Sequence, residues 1–516
     1  MSHITISGGE KHQSHYFETS STSYWNKLIK FPNPEFFMKL TLFVFLATSF
    51  VFLFSLSGWI RDPLLFISTL NTLTTTKCPE IIAKTKIVEN AEYKTNISHL
   101  VFGIGGSANT WGTRKHYAEL WWKPNVTRGY VWLDEKPNGT WPENSIPYQV
   151  SENVTKIFKR GSMPANRIAR IVLENYRLGL ENVRWFVMGD DDTVFFTENL
   201  VAVLSKYDHK QMYYIGGISE SVEQDLTHSY TMGYGGAGFA ISYPLVEQLV
   251  KVLDGCIDRY SFLWGSDERV GGCLNEIGIP LTKELGFHQV DIHGDPYGLL
   301  AAHPVAPLVS LHHLDYLKPI FPTSTNQIDS LKMLVSAYKM DTARTLQQSF
   351  YHDWQRDWTV SVSWGYTVQI YPRFVLDSLL RTPFQTFQTW GSWKDEPFTF
   401  NTRQMSPDPC EQPLIYFLDD ASNGNGVGGE NETVTSYKRF VAEPWNECNE
   451  DHFRSALALH TINITASKMD LDMLSKAPQR QCCEITTPFT GAEDNIIQIR
   501  IKSCSYEEGF SLPRGG

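Results

Sequence analysis

Three carboxylates in a row, Asp190, Asp191 and Asp192, separate the apolar run Trp185-Phe186-Val187-Met188 from a second one, Val194-Phe195-Phe196. Acidic side chains so placed repel one another unless something positive sits between them, and a hard divalent cation is one such group. A solvated acidic turn is the plainer alternative. Ser266-Asp267-Glu268 leads into an apolar stretch and, by itself, reads as a helix N-terminus with stabilising carboxylates in its first turn. His312 and His313, flanked by Asp315, end a strand-like run and offer metal-binding nitrogens, although alternation along a strand points only one of the two inward. The small residues of Gly233-Tyr234-Gly235-Gly236-Ala237-Gly238 let backbone approach a ligand or a neighbouring strand closely, or simply form a turn. Gly103-Ile104-Gly105-Gly106-Ser107-Ala108, with Asp134 ending the next strand, fits the loose dinucleotide-binding pattern. That pattern is common by chance, and a Gly-rich strand-to-helix turn accounts for it.

These residues need a scaffold. Strands are expected at His99–Ile104, Gly129–Asp134 and Trp185–Met188, with helices at Arg114–Trp122 and Pro164–Tyr176 between them. That alternation implies a parallel α/β sheet, whose ligands lie beyond the carboxyl ends of its strands. Further on come a helix at Glu198–Lys206, a strand at Met212–Gly217, a glycine-rich stretch that enters Ala240–Ser242 and a helix at Leu245–Leu253. Residues 326–345 read as a helix, and alternating runs such as Trp358–Val362 and Asn495–Ile501 follow, together with Cys410, Cys448, Cys482, Cys483 and Cys504. A β-rich, disulfide-containing accessory domain over 326–516 is the expectation. Trp364, Trp390 and Trp393 suit either core packing or stacking on glycan.

A formal charge of -11 without any basic block argues against nucleic acid as a partner. Residues 1–39 read as a short cytoplasmic tail. Residues 40–60 form an uncharged run, close to the ~20 residues a membrane-crossing helix requires. Lys27, Lys30 and Lys39 precede this run, so it reads as an uncleaved signal anchor that leaves the remainder in a lumen, a single-pass type II arrangement. Sequons at Asn96, Asn125, Asn138, Asn153, Asn431 and Asn463, and all eight cysteines, follow the anchor, as a secretory route requires. Cys256 with Cys273 is a plausible short loop closure. Residues 61–98 read as a stem.

Taken in order, Trp185-Phe186 to Asp192, Tyr214-Ile215-Gly216, Gly235-Gly236-Ala237-Gly238-Phe239, Asp267-Glu268-Arg269-Val270-Gly271 and His313-Leu314-Asp315 resemble the fringe-like glycosyltransferases of the β-1,3 family 31 type. The resemblance is greatest to the plant fringe-like group, which carries an additional C-terminal region. It implies a GT-A (Rossmann-like) nucleotide-sugar domain over 99–325, in a Golgi membrane protein that inverts configuration while moving a hexose or N-acetylhexosamine from a UDP-sugar to a glycan or glycoprotein, in β-1,3 linkage. It further implies Mn²⁺, or another divalent cation, held by Asp192, Asp190 and His313, with His312 as a substitute for His313. Asp190, Asp191, Gly235, Gly236 and Gly238 would lie on the donor, and Asp267 would be the catalytic base. Ser266 stands where many relatives carry a second acid, and Glu268 and Arg269 could pair with each other. A non-catalytic glycan-binding or scaffold protein that keeps the fold is the alternative; a metal-dependent hydrolase would need more clustered ligands.

Overall fold

The computed structural model describes residues 94–390, 400–424, 431–441, 448, 450–487 and 495–505. The expected anchor at 40–60, Cys78 and Trp393 lie outside these residues. Among the described residues no helix is long and apolar enough to cross a membrane. Residues from Glu89 onward form one compact unit.

Its first layer is a seven-stranded sheet. The strands are β1 (Leu100–Gly105), β2 (Gly129–Leu133), β3 (Tyr148–Val150), β4 (Trp185–Asp190), β6 (Tyr214–Gly216), β7 (Phe239–Ser242) and β8 (Leu281–Lys283), in the order β3-β2-β1-β4-β7-β6-β8. The short β5 (Val194–Phe195) lies outside this sheet. β4 is central and buried along nearly its whole length, which is why its residues read as a continuous apolar run rather than an alternating one. β1 to β4 pair in parallel, as the strand-helix alternation implies, while β7 runs antiparallel to both β4 and β6, so the whole sheet is mixed. The chain leaves β6 at the carboxyl edge, stays at that edge through the glycine-rich turn, and must therefore enter β7 running back. The helix expected over Pro164–Tyr176 is two helices, Met163–Ala169 and Ile171–Arg177, divided at Arg170, whose buried guanidinium reaches Asp254 at 2.7 Å and Glu152 at 2.9 Å.

A small second sheet joins distant segments at the same edge. β5 pairs antiparallel with β11 (Ser310–Leu311), which pairs in parallel with β9 (Phe287–His288). The register Leu311 opposite Val194 carries His312 to the acidic turn across more than a hundred residues of chain. β10 (Ile292–Gly294) pairs with β15 (Phe387–Thr389), a strand from the C-terminal region.

The remaining strands close into a barrel: β12 (Gln348–Asp353), β13 (Trp358–Ser363), β14 (Thr367–Tyr371), β16 (Leu414–Asn423), β17 (Glu432–Phe440), β18 (Thr461–Ser467), β20 (Ile496–Lys502) and β19 (Gln481–Ile485), with β19 completing the ring against β12. β17, β18 and β20 alternate buried and exposed residues, as barrel strands with one wet face do. β13 and β14 are buried on both faces because the sheet domain covers them. There, Gln348 Nε2 donates to Ala301 O, Gln347 Nε2 to Ala306 O and Tyr366 Oη to Ile320 O. One hydrophobic core runs from Leu100 and Trp185 through Leu311 and Leu331 to Val360 and Ile499, with Trp364 inside it. Disulfides join Cys256 to Cys273, Cys410 to Cys448, and Cys482 to Cys504.

Candidate active site

The acidic turn sits where β1 and β4 end side by side, with Gly105 opposite Asp190. Thr193 locks the turn. Its Oγ1 accepts from Asp190 N at 2.9 Å and donates to Gly236 O at 2.7 Å, tying the carboxylates to the glycine loop. Gly238 has φ +82, a left-handed conformation that a side chain would strain, and Gly236 is crowded by the His312 ring. Gly235 N donates to Asp267 Oδ2 at 2.8 Å. The three glycines expected at the donor therefore line the same edge as the acids, and Asp190, Gly235, Ser266 and Asp267 share one narrow cleft.

The three acids have different surroundings. Asp191 receives Arg114 Nη1 at 2.8 Å, and the same nitrogen lies 3.2 Å from Asp192. Part of the positive charge this turn requires thus comes from the protein. Asp192 is buried, with His312 Nε2 at 3.1 Å. Burial pushes its carboxyl up, but the His312 charge and hydrogen bond, then Arg114, outweigh this and hold it well below the usual carboxylate range. Among the described residues, the ion-pair partner of Asp190 is His312 Nε2, at 3.8 Å. Desolvation pushes it up to about 7 against the pull of His312, with Asp192, Asp191 and Asp267 adding to the rise. Its side chain remains 35% exposed, so water moderates that desolvation.

Of the two histidines, His312 is the one that faces the acids, and it replaces His313 as the nearer candidate ligand. His313 takes up a left-handed backbone at φ 55, and its Nδ1 donates to Asp291 Oδ1 at 2.9 Å. One backbone twist thus separates two side chains that strand alternation already expected to diverge. Burial lowers His312, but Asp192 and then Asp190 more than restore it, raising it to about 9. Burial and the neighbouring His312 lower His313.

The residues fit a cation at Asp190, Asp192 and His312. Asp192 Oδ1 meets His312 Nε2 at 3.1 Å and Oδ2 meets Arg114 Nη1 at 3.2 Å, while Nδ1 of His312 is buried without a hydrogen bond. A buried carboxylate beside an unpartnered imidazole nitrogen offers oxygen and nitrogen ligands to a divalent ion. Among the described residues, the one group of three ligand-type atoms already within 4.8 Å of one another is Cys410, Cys448 and Glu450, and there both sulfurs are spent in a disulfide.

Asp267 opens the helix Ser266–Ile277. Its Oδ1 accepts from Glu268 N at 2.9 Å and its Oδ2 from Gly235 N. Burial raises its pKa, and these two backbone donors oppose the rise. Glu268 and Arg269 do not pair with each other. Glu268 caps Gly265 N at 2.5 Å and lies 3.3 Å from His228 Nδ1. Arg269 is fully buried and turns away to donate to Asn166 Oδ1 and to the carbonyls of Leu263 (2.6 Å) and Ser162 (3.2 Å). In the early glycine pattern, Asp134 accepts from Ser107 Oγ at 2.9 Å and Ala108 N at 2.8 Å, so its carboxylate holds the turn itself.

Three residues of the site carried no sequence signal: Arg114, Asp291 and Tyr117, the last of which donates to Asp315. Each is a single side chain without motif or spacing, brought in by tertiary contact alone. Arg114 and Tyr117 do sit within one expected helix, three residues apart and so on one face.

A family model described as Fringe-like matches residues 119–293, which hold the acidic turn, the glycine loop and Asp267. A mouse (Mus musculus) protein named beta-1,3-glucosyltransferase is 30% identical over 153 residues, 28% of this chain and 29% of the relative. The chain thus matches less than a third of that relative's length. A second family model matches residues 224–483, just over half of the 516 residues, and runs from the glycine loop into the barrel. With that extent of match, the chain belongs to the family described as Protein of unknown function, DUF604, and carries a Fringe-like segment that overlaps it.

Proposed function

We propose that the chain is an inverting glycosyltransferase of GT-A type that moves a hexose or N-acetylhexosamine from a UDP-sugar to a glycan or glycoprotein hydroxyl, in β-1,3 linkage and with Mn²⁺ or a similar ion. The observation that carries this reading is that Asp190 shares one cleft with Asp267 and also lies 3.8 Å from His312, which holds Asp192; the acids fall within the Fringe-like match and His312 beyond its end. The mouse relative's name supports the linkage class and the transfer of a hexose. The signal anchor, lumenal orientation and Golgi location belong to the same proposal and rest on residues 40–60 and the sequons.

Asp190 and Asp192, with His312, would hold the ion, which when bound supplies a Lewis acid for the charge developing on the departing diphosphate. Gly235, Gly236 and Gly238 present backbone without side chains, so the transferred sugar can lie close to the turn. Asp267 accepts the proton of the attacking hydroxyl, and its raised pKa brings it nearer to the range in which a general base works well. The acceptor oxygen bonds to the anomeric carbon as the bond to the UDP oxygen breaks on the opposite face, which inverts that centre. Arg114, bound to Asp191 and Asp192, offsets part of the repulsion between these two adjacent acids.

The test is UDP release across a panel of UDP-sugars, with Mn²⁺ or with EDTA. Release from one donor, abolished by EDTA and restored by Mn²⁺, is expected. Binding of glycan without release from any donor would favour the non-catalytic reading.

A further inference from the structure

The C-terminal region reaches the candidate site through one side chain. β15 pairs with β10, Ile292 opposite Thr389, so the next residue, Trp390, falls beside Asp291. Asp291 is the buried carboxylate that accepts from His313 Nδ1 and, at 2.5 Å, from Ser219 Oγ. The Trp390 indole stacks on His313, with ring centroids 4.3 Å apart and planes 8° apart, and on His293 at 4.8 Å and 2°. Tyr316 meets it edge-on at 4.6 Å, and His293 Nε2 donates to Trp390 O at 3.1 Å. The segment is held in place by Thr386, whose Oγ1 accepts from Gly298 N and donates to Asp295 O. His313 in turn lies against His312, with centroids 3.8 Å apart, and His312 holds Asp192. Three rings in contact, Trp390 stacked on His313 and His313 tilted by 34° against His312, therefore run from the C-terminal region to the buried carboxylate.

We infer that Trp390 is a positioning residue for the His312–His313 pair, so that the candidate site is composite and incomplete without the C-terminal region. This rests on the metal-holding role of His312 proposed above. Asp291 fixes one edge of the His313 imidazole and Trp390 covers its face, which leaves the ring one orientation against His312. Flat aromatic faces pack with defined geometry, whereas a branched aliphatic group of similar bulk does not define a plane. The family match that runs from the glycine loop into the barrel treats the two regions as one unit, as this stack requires.

The experiment compares Trp390→Phe, which keeps a flat face, with Trp390→Leu, which keeps apolar bulk, in the full chain. Two readouts are taken. One is carbethoxylation of individual histidines, mapped by peptide mass spectrometry without metal; the other is Mn²⁺ binding, followed by the spin resonance of the free ion. In Trp390→Leu, His313 should be modified at a rate approaching that of the exposed His116, and Mn²⁺ affinity should fall about 10–100-fold, the usual effect of losing a residue that orients a ligand. Trp390→Phe should keep both near wild type. If His313 stays protected in Trp390→Leu, or becomes exposed while Mn²⁺ affinity is unchanged, the inference is overturned. A wild-type protein that binds no Mn²⁺ would instead refute the metal reading, and His313 protection alone would then decide whether Trp390 holds the ring.

Discussion

Gly236→Ala isolates the contact on which the candidate metal centre depends. A Cβ at this position would lie 2.0–2.4 Å from three atoms of the His312 ring, where ordinary contact begins at 3.4 Å. Something must move by about 1.4 Å. The backbone is poorly placed to yield, because Thr193 Oγ1 holds the Gly236 carbonyl and Gln289 Oε1 accepts from Ala237 N at 2.7 Å. His312 must therefore leave Asp192. A misplacement of about 1 Å at reacting groups costs on the order of 10²-fold in rate, and overpacking of this kind costs about 1–3 kcal/mol in stability. The assay is acceptor-dependent UDP release across a Mn²⁺ titration, beside a thermal unfolding curve. A folded Gly236→Ala protein with wild-type turnover and wild-type Mn²⁺ response would refute the placement of His312 at the ion.

Other consequences follow from the same geometry. Burial raises the folded pKa of Asp267, so the base loses its ionised form at a higher pH than an ordinary aspartate. The acidic limb of the pH–rate profile should lie above the unperturbed ~3.9 of Asp, with activity present above that limb and lost as pH falls through it; a limb at or below the ordinary value would contradict the burial. Replacing both Cys256 and Cys273 by Ala removes a link between residues 17 apart, joining the helix Tyr243–Arg259 to the helix of Asp267, and should cost about 3 kcal/mol in denaturant unfolding. Arg269→Lys should cost about 1–3 kcal/mol by leaving the buried Asn166 Oδ1 without its donor, and should lower turnover by releasing the Leu263 carbonyl just before Asp267. A variant as stable and as active as wild type would show that these bonds do not hold the helix start.

The catalytic half was legible where local pattern and burial agree. The run at Trp185 is continuous because β4 is covered on both faces, and the triplet after it falls at the carboxyl edge as the strand order implied. The glycines were legible as close approach, though not what they approach: the His312 ring at Gly236 comes from β11, and only the β5–β11 register brings it there. The choice between His312 and His313 depended on a left-handed backbone at a non-glycine residue, which no periodicity signals. The reversal of β7 depended on which edge a loop occupies. In the C-terminal region the alternating runs at Trp358 and Asn495 correspond to β13 and β20, but closure of a barrel is set by the parallel pairing of β12 with β19 across more than a hundred residues. Trp390 is one of three tryptophans suited to glycan or core, and its choice of ring partners carries no sequence signal. It stacks on histidines of the other region.

The central claim is that Asp267 takes the acceptor proton beside a cation held by the acidic turn. Its most direct measurement is acceptor-dependent UDP release by wild type and Asp267→Asn at saturating Mn²⁺, with donor binding measured on both. Transfer should fall by roughly 10²–10⁴-fold while donor affinity is retained, because the amide oxygen keeps one of the two backbone bonds but the amide cannot accept the proton. Near-normal turnover by Asp267→Asn would contradict it.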